Sequence, residues 1–238
     1  MNKLSVILPV HNESKTLLKT LKEIDDVLSK YVDFKFILSE DGSVDNTVEV
    51  MNDSEKIFNL RFITSKKRKG YAKAIIDAIK LVNTKYVIFM DSDGQIDPKD
   101  IEALWNGRNM CDINIGYRKD RADSIIRLIY SRSFFYFYKM LFPVPLSDPS
   151  CPLVLVSHDS AKILASDWSK FGDRLSEGFW WEFNAWAFKR GYTFCEYIIK
   201  HRRRSDGSDT QVYKPHKMPG IIVRNVLGIL RVKFSNIK

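Results

Sequence analysis

Asp91 and Asp93 sit one residue apart at the end of the apolar run Tyr86-Val87-Ile88-Phe89-Met90. Carboxylates so close repel each other, and a hard divalent cation that takes oxygens from one or both removes the conflict. Mg2+ or Mn2+ suits such ligands, particularly when substrate phosphates complete the shell, and would neutralise a diphosphate leaving group as its bond breaks. Gln95 can add a further oxygen ligand. An isolated Asp-x-Asp is more often a solvated turn or a capping pair; the preceding strand and two companion clusters favour the metal.

The companions are Glu40-Asp41-Gly42-Ser43-Val44-Asp45-Asn46-Thr47 and Pro9-Val10-His11-Asn12-Glu13. Gly42 permits a sharp turn out of a strand. Asp41 can accept hydrogen bonds from nucleobase N–H groups, and an Asp-Gly turn with Ser43 or Asp45 capping a helix is compatible with that. Glu13 can hold ribose hydroxyls; by itself it reads first as a helix-start acid favoured by the macrodipole.

The elements that must position these clusters alternate. Apolar runs at 4–10, 34–39, 60–64, 86–90 and 112–116 read as strands, and helical spacing appears at 14–30, with Ser14 as its cap, from 47, at 71–82 and at 99–105. Such alternation specifies an α/β fold with a mainly parallel sheet flanked by helices. Ligands in such folds bind beyond the carboxyl ends of the strands, where all three clusters fall. Further on, helices are expected at 121–141 and 177–190, the latter stopped by Gly191, with a strand at 193–200 and a polar basic loop at 201–214. Residues 218–238 mix apolar positions with Arg224, Arg231, Lys233 and Lys238, a basic amphipathic helical tail suited to a membrane surface. The aromatic residues 134–138 are consecutive, so some must enter the core while others can meet lipid.

The 238 residues and 45% hydrophobic content fit one domain with a sizeable core. The division expected is a catalytic domain over 1–215, with a nucleotide-binding half at 1–117 and an acceptor-binding half at 118–215, followed by the tail at 216–238. Net charge of +9 favours anionic partners. The three cysteines, Cys111, Cys151 and Cys195, are sparse and odd in number, so reduced buried thiols are expected. No secretory signal and no membrane span is read, so a cytoplasmic protein, peripheral at the inner membrane face, is expected. Nucleic-acid binding lacks any zinc-finger, helix-turn-helix or RNA-module signature. A nucleotidyltransferase would need a Gly-rich loop after the first strand, where Pro9-Val10-His11-Asn12-Glu13 stands.

Together the motifs resemble the GT-A-fold (Rossmann-like) glycosyltransferases of family 2: residues 5–13, 40–47, Lys69-Gly70-Tyr71-Ala72-Lys73-Ala74-Ile75 and 86–95 match in order and spacing. Residues 116–123, Ile126-Arg127, Ser131 and Ser147-Asp148-Pro149-Ser150-Cys151 look like the dolichol-phosphate mannosyltransferase-like branch, which transfers sugars to polyprenyl phosphates. Pro152-Leu153 departs from that branch's usual Gly- or Ala-Phe pair, and Asp209 takes a position where Ser is usual. The resemblance implies a nucleotide-sugar donor, UDP- or GDP-linked, held by Pro9, His11, Glu13, Asp41, Gly42, Ser43, Lys69, Gly70, Asp91, Ser92, Asp93 and Arg204. It implies Mg2+ or Mn2+ on Asp91, Asp93 and Gln95, and a lipid-linked phosphate or glycan acceptor met by Arg118, Arg127 and Ser131.

A phosphate acceptor is already an anion and needs positioning rather than a base, which Arg118 and Arg127 would supply. A hydroxyl acceptor, in polysaccharide or glycolipid assembly, would need a base, with Asp148 first and Glu182 second. Asp148 can equally be a turn residue before Pro149. Asp93, Arg118, Arg127 and Asp148 are thus the candidate catalytic residues. A non-catalytic nucleotide-sugar-binding protein is the alternative of another class, disfavoured by the presence of both aspartates.

Overall fold

The computed structural model describes residues 3–120, 125–169, 179–204 and 218–236. In chain order the elements are β1 (Leu4–Val10), α1 (Leu17–Leu28), β2 (Phe34–Glu40), α2 (Thr47–Glu55), β3 (Leu60–Ile63), α3 (Tyr71–Ile79), β4 (Tyr86–Phe89), a 3-10 turn (Pro98–Asp100) running into α4 (Ile101–Asn106), β5 (Ile113–Arg118), α5 (Ile125–Leu141), β6 (Val154–Ser157), α6 (His158–Ser169), α7 (Phe179–Lys189), β7 (Phe194–Ile199) and α8 (Met218–Phe234). The seven strands form one sheet in the order β3-β2-β1-β4-β6-β5-β7. All neighbours are parallel except β6, which runs antiparallel to both β4 and β5. This is the expected GT-A-type α/β arrangement.

Every residue of β1 and β2 is buried, as strands covered on both faces require. Even Lys35 lies inside, its ammonium donating to Asn83 Oδ1 at 2.5 Å. Helix α3 packs on β1 and β2 and leads through α6 and α7 to α8 in one layer; α1, α2 and α4 form the other. Parallel register pairs Val10 with Glu40 and Ile7 with Phe89. Residues 11–13, 41–43 and 91–93 therefore leave adjacent strands at one edge of the sheet.

Several expectations are corrected. Helix α1 begins at Leu17 behind Thr16, because the carbonyl of Glu13 takes the N–H groups of both residues, and Ser14 instead donates its backbone N–H to Asp45 Oδ2. The strand β6 and helix α6 had no counterpart in the sequence reading. Residues 154–157 are almost wholly buried between β4 and β5, so they carry no alternation, and the preceding prolines masked them. Cys111 and Cys195 are joined in a disulfide, since β5 and β7 pair despite a separation of 84 residues; Cys151 alone is a buried thiol. Of the aromatic run in α5, Tyr138 is fully buried and Tyr136 is 62% exposed. The tail is helical as expected, and buries Ile221, Ile229 and Val232 while Lys189 of α7 donates to the carbonyls of Val232 and Ser235. The start of the 177–190 helix and the whole loop after Arg204, with Gly207 and Asp209, lie outside the described residues.

Candidate active site

Side chains from neighbouring loops lock the strand-end clusters together. Asn12, held at φ 55°, donates its N–H to Ser43 Oγ at 2.9 Å and accepts from the Val44 N–H at 2.9 Å. Glu13 N–H donates to Thr47 Oγ1 at 2.9 Å. Ser92 turns inward and donates to the carbonyl of Pro9 at 2.8 Å, tying the Asp91-Ser92-Asp93 turn to β1. Glu40 organises the second loop, its oxygens accepting from the backbone of Ser43 and of Ser65. Although burial works against its charge, these N–H groups hold the Glu40 carboxyl below its ordinary range.

Asp41 Oδ1 accepts from the backbone N–H groups of Lys69 and Gly70, at 2.5 and 2.8 Å, and Oδ2 stands 3.7 Å from Arg68 Nε. Gly42 (φ 65°) lets the chain turn beneath this basic loop: a Cβ there would come within 2.5 Å of Arg68 N and Lys67 C. Lys69 points away, its ammonium 3.1 Å from Asp77 Oδ2 and 3.3 Å from Ser39 Oγ. The Nδ1 of His11 is buried with no partner among the described residues.

Three carboxylates gather at the edge. Arg204 donates to Glu13 Oε1 at 2.7 Å and stands 3.6 Å from Asp93 Oδ2, carried there because His201 bridges to Ile96 and Arg202 N–H donates to the Gln95 carbonyl. Gln95 donates its side-chain amide to the Arg202 carbonyl at 3.3 Å and its N–H to Asp93 Oδ1 at 3.1 Å. Tyr71 OH donates to Asp91 Oδ1 at 2.7 Å, and the indole N–H of Trp180 donates to Tyr71 at 2.9 Å. Burial first, then the Asp93 carboxylate, pushes Asp91 well above the usual carboxyl range; burial likewise raises Glu13. Such crowded negative charge is relieved by a cation. Among the described residues no three His, Cys, Asp or Glu side chains could enclose one alone. A cation here would rest on Asp91 and Asp93 with diphosphate oxygens completing its shell, the habit of Mg2+ at phosphate sites. The donor set fits.

At the same edge, the end of β5 opens on a cavity of about 820 Å³ lined by Arg118, Lys119, Ser131, Arg132, Lys139 and Trp181, among others. Arg118 and Asp148, both buried, are bound to each other: Nε to Oδ2 at 2.7 Å, Nη2 to Oδ1 at 3.0 Å. Ser131 lies on the cavity wall, and the Arg127 side chain is outside the described residues. Glu182, the second candidate base, is absent from that lining and is buried among aromatics, where desolvation lifts its carboxyl to about 8. The sequence reading missed the roles of Asn12, Glu40, Tyr71 and Trp180. Tyr71 had one local signal, its place directly after Gly70 at the head of a helix; Trp180 had none.

The family model of glycosyl transferase family 2 matches residues 5–143. The poly-beta-1,6-N-acetyl-D-glucosamine synthase of Staphylococcus epidermidis is 33% identical over 94 residues, 40% of this chain and 22% of that protein. The dolichol-phosphate mannosyltransferase of Pyrococcus furiosus is 32% identical over 120 residues, 49% of this chain and 33% of that protein. The matched segments thus span about a fifth to a third of these relatives. Among solved structures, glucosyl-3-phosphoglycerate synthase from Mycobacterium tuberculosis, in complex with Mn2+, UDP-glucose and phosphoglyceric acid, superposes with a TM-score of 0.67 at 15% identity, covering 100% of this chain and 81% of that one. At that identity the likeness establishes the fold.

Proposed function

The chain belongs to glycosyl transferase family 2, and from that premise we propose that it moves a sugar from a UDP- or GDP-linked donor to a phosphate-bearing acceptor, with inversion at the anomeric carbon. The observation that carries this reading is the convergence of Glu13, Asp41, Asp91, Asp93 and Arg204 on adjoining strand ends beside a basic cavity. Asp41 and Glu13 hold the nucleoside, with His11 beside them as a further donor-binding residue. Arg204, which donates to Glu13, exchanges that carboxylate for donor phosphate in this reading. Asp91 and Asp93 hold Mg2+ or Mn2+, which when bound neutralises the diphosphate as it leaves. A solved structure of the same fold, the glucosyl-3-phosphoglycerate synthase from Mycobacterium tuberculosis, is a complex with Mn2+, UDP-glucose and phosphoglyceric acid, which supports this reading.

The acceptor we favour is a polyprenyl phosphate. Its phosphate oxygen forms the new bond to the anomeric carbon while the electron pair of the old bond departs with the nucleoside diphosphate, so no general base is required. Lys119, Arg132 and Lys139 supply positive charge around the cavity, and Phe135, Tyr136 and Trp181 supply apolar wall; Arg127 is kept as a proposed contact to the acceptor phosphate on the family resemblance alone. A dolichol-phosphate mannosyltransferase among the relatives supports this. Among the described residues no helix is long and apolar enough to cross a membrane. The exposed Ile129, Tyr136 and Met140 of α5 lie on a helix whose end is tied to α8 by Lys233, which donates to the Leu141 carbonyl at 2.8 Å; Phe234 is exposed beside it. We propose this face as a peripheral contact with the inner surface of the membrane.

A hydroxyl acceptor is the second reading, favoured by the poly-N-acetylglucosamine synthase among the relatives, and Asp148 would then have to leave Arg118 to act as base. The deciding experiment screens UDP- and GDP-sugars with Mn2+ or Mg2+, with and without a polyprenyl phosphate, alongside Asp93→Ala. Metal-dependent transfer to the lipid, lost in the variant, is the result expected; donor hydrolysis without lipid transfer moves the search to hydroxyl acceptors. Arg127→Ala should lose transfer while still binding donor. No turnover and no binding of any donor would refute the reading.

A further inference from the structure

The bonds among Trp180, Tyr71 and Asp91 have a fixed direction. An indole N–H can only donate, so the Tyr71 oxygen must accept from Trp180 at 2.9 Å. The single phenolic proton of Tyr71 is then free to point at Asp91 Oδ1, 2.7 Å away. That arrangement satisfies Asp91 in its charged form and occupies one of its two oxygens, leaving Oδ2 as the oxygen to meet a cation. Trp180 is itself wedged in place, its ring 5.4 Å from Phe89 of β4 and 4.9 Å from Phe179. Tyr71 is set just as firmly. It is the first residue of α3, it follows Gly70 at φ 92°, and the N–H groups of Lys69 and Gly70 are held by Asp41.

Resting on the metal and donor reading above, we propose that Tyr71 and Trp180 are a positioning pair that aims Asp91 at the cation as a single-oxygen ligand. We further infer that the pair links the metal to the nucleoside side of the site through Gly70, Lys69 and Asp41. The two sides lie on different strands, β4 and β2, and β1 separates them in the sheet. The Lys69-Gly70-Tyr71 segment touches both, with Asp41 at one end and Asp91 at the other. Nucleoside diphosphate bound against Asp41 therefore steadies the loop that orients Asp91, and the metal and nucleotide bind cooperatively. Trp180 brings α7 into the same unit and acts only through the Tyr71 hydroxyl.

Binding of Mn2+ to the full chain, followed by the loss of free-ion electron paramagnetic resonance signal with and without UDP or GDP, tests this without recourse to turnover. Tyr71→Phe keeps the ring that packs 6.3 Å from Phe179 and removes only the hydroxyl. It should weaken Mn2+ binding in the presence of nucleotide by roughly tenfold or more, the usual effect of losing a group that orients a ligand. It should also reduce the nucleotide's enhancement of Mn2+ binding. Trp180→Phe should act in the same direction by less, and Tyr71→Phe/Trp180→Phe should be no weaker than Tyr71→Phe alone. Wild-type Mn2+ affinity in Tyr71→Phe, or additive losses in the double variant, would overturn the pairing; Trp180→Phe decides the matter if Tyr71→Phe does not fold. Asp93→Ala separates the two levels of argument. If it abolishes Mn2+ binding while Tyr71→Phe binds normally, the positioning pair fails and the metal site stands; if the wild-type chain itself binds no Mn2+, both fall.

Discussion

Arg118 clasps Asp148 through two parallel hydrogen bonds of 2.7 and 3.0 Å, with both side chains less than a tenth exposed. The guanidinium read from the sequence as a phosphate ligand is thus engaged by the carboxylate read as a candidate base. Glu196 steadies the pair by accepting from the N–H groups of Ser147 and Asp148 at 2.6 and 2.9 Å.

Removing one partner leaves a buried charge uncompensated. Arg118→Ala and Asp148→Ala should each lower unfolding free energy by about 3–5 kcal/mol in urea titrations, while Arg118→Met/Asp148→Leu should recover much of the loss. Equal, small effects from all three would show the pair to be unimportant to stability.

Gly42 adopts φ 65°, and a Cβ there would sit 2.5 Å from backbone atoms of Lys67 and Arg68. Those atoms belong to the loop that Asp41 fastens, so they cannot yield without moving it. Gly42→Ala should weaken UDP or GDP binding at least about tenfold, near 1.4 kcal/mol, as read by calorimetric titration.

Burial raises the Glu182 carboxyl from 4.5 to about 8, with Trp168 and Arg231 opposing. The folded state therefore keeps a proton that the unfolded chain releases. Its contribution to stability is fully present below pH 4.5 and is lost progressively as pH rises through about 8. Denaturation across that range should show stability falling with pH, and Glu182→Gln should flatten the slope and exceed the wild type at the alkaline end.

The Cys111–Cys195 disulfide closes a loop of 84 residues between β5 and β7. On chain-entropy grounds its loss costs about 4.5 kcal/mol. Cys195→Ser, or added reductant, should lower the melting temperature, whereas Cys195→Ser should be insensitive to reductant.

Much of the site was legible in the sequence because its signals are local. An apolar run that stops at a polar cluster announces a strand end, as at Val10-His11, Glu40-Asp41 and Met90-Asp91, and three such ends in an alternating chain must share one edge of a parallel sheet. The residue pairs that set the chemistry there are long-range and leave no period to read. Arg118 meets Asp148 across 30 residues, Trp180 meets Tyr71 across 109, and Arg204 meets Glu13 across 191. The sequence by itself determined every strand but β6, the edge and the residue types offered at it. Only the tertiary structure decided which charges are already spent on one another, because that depends on which strand ends and helix starts are brought within hydrogen-bond reach.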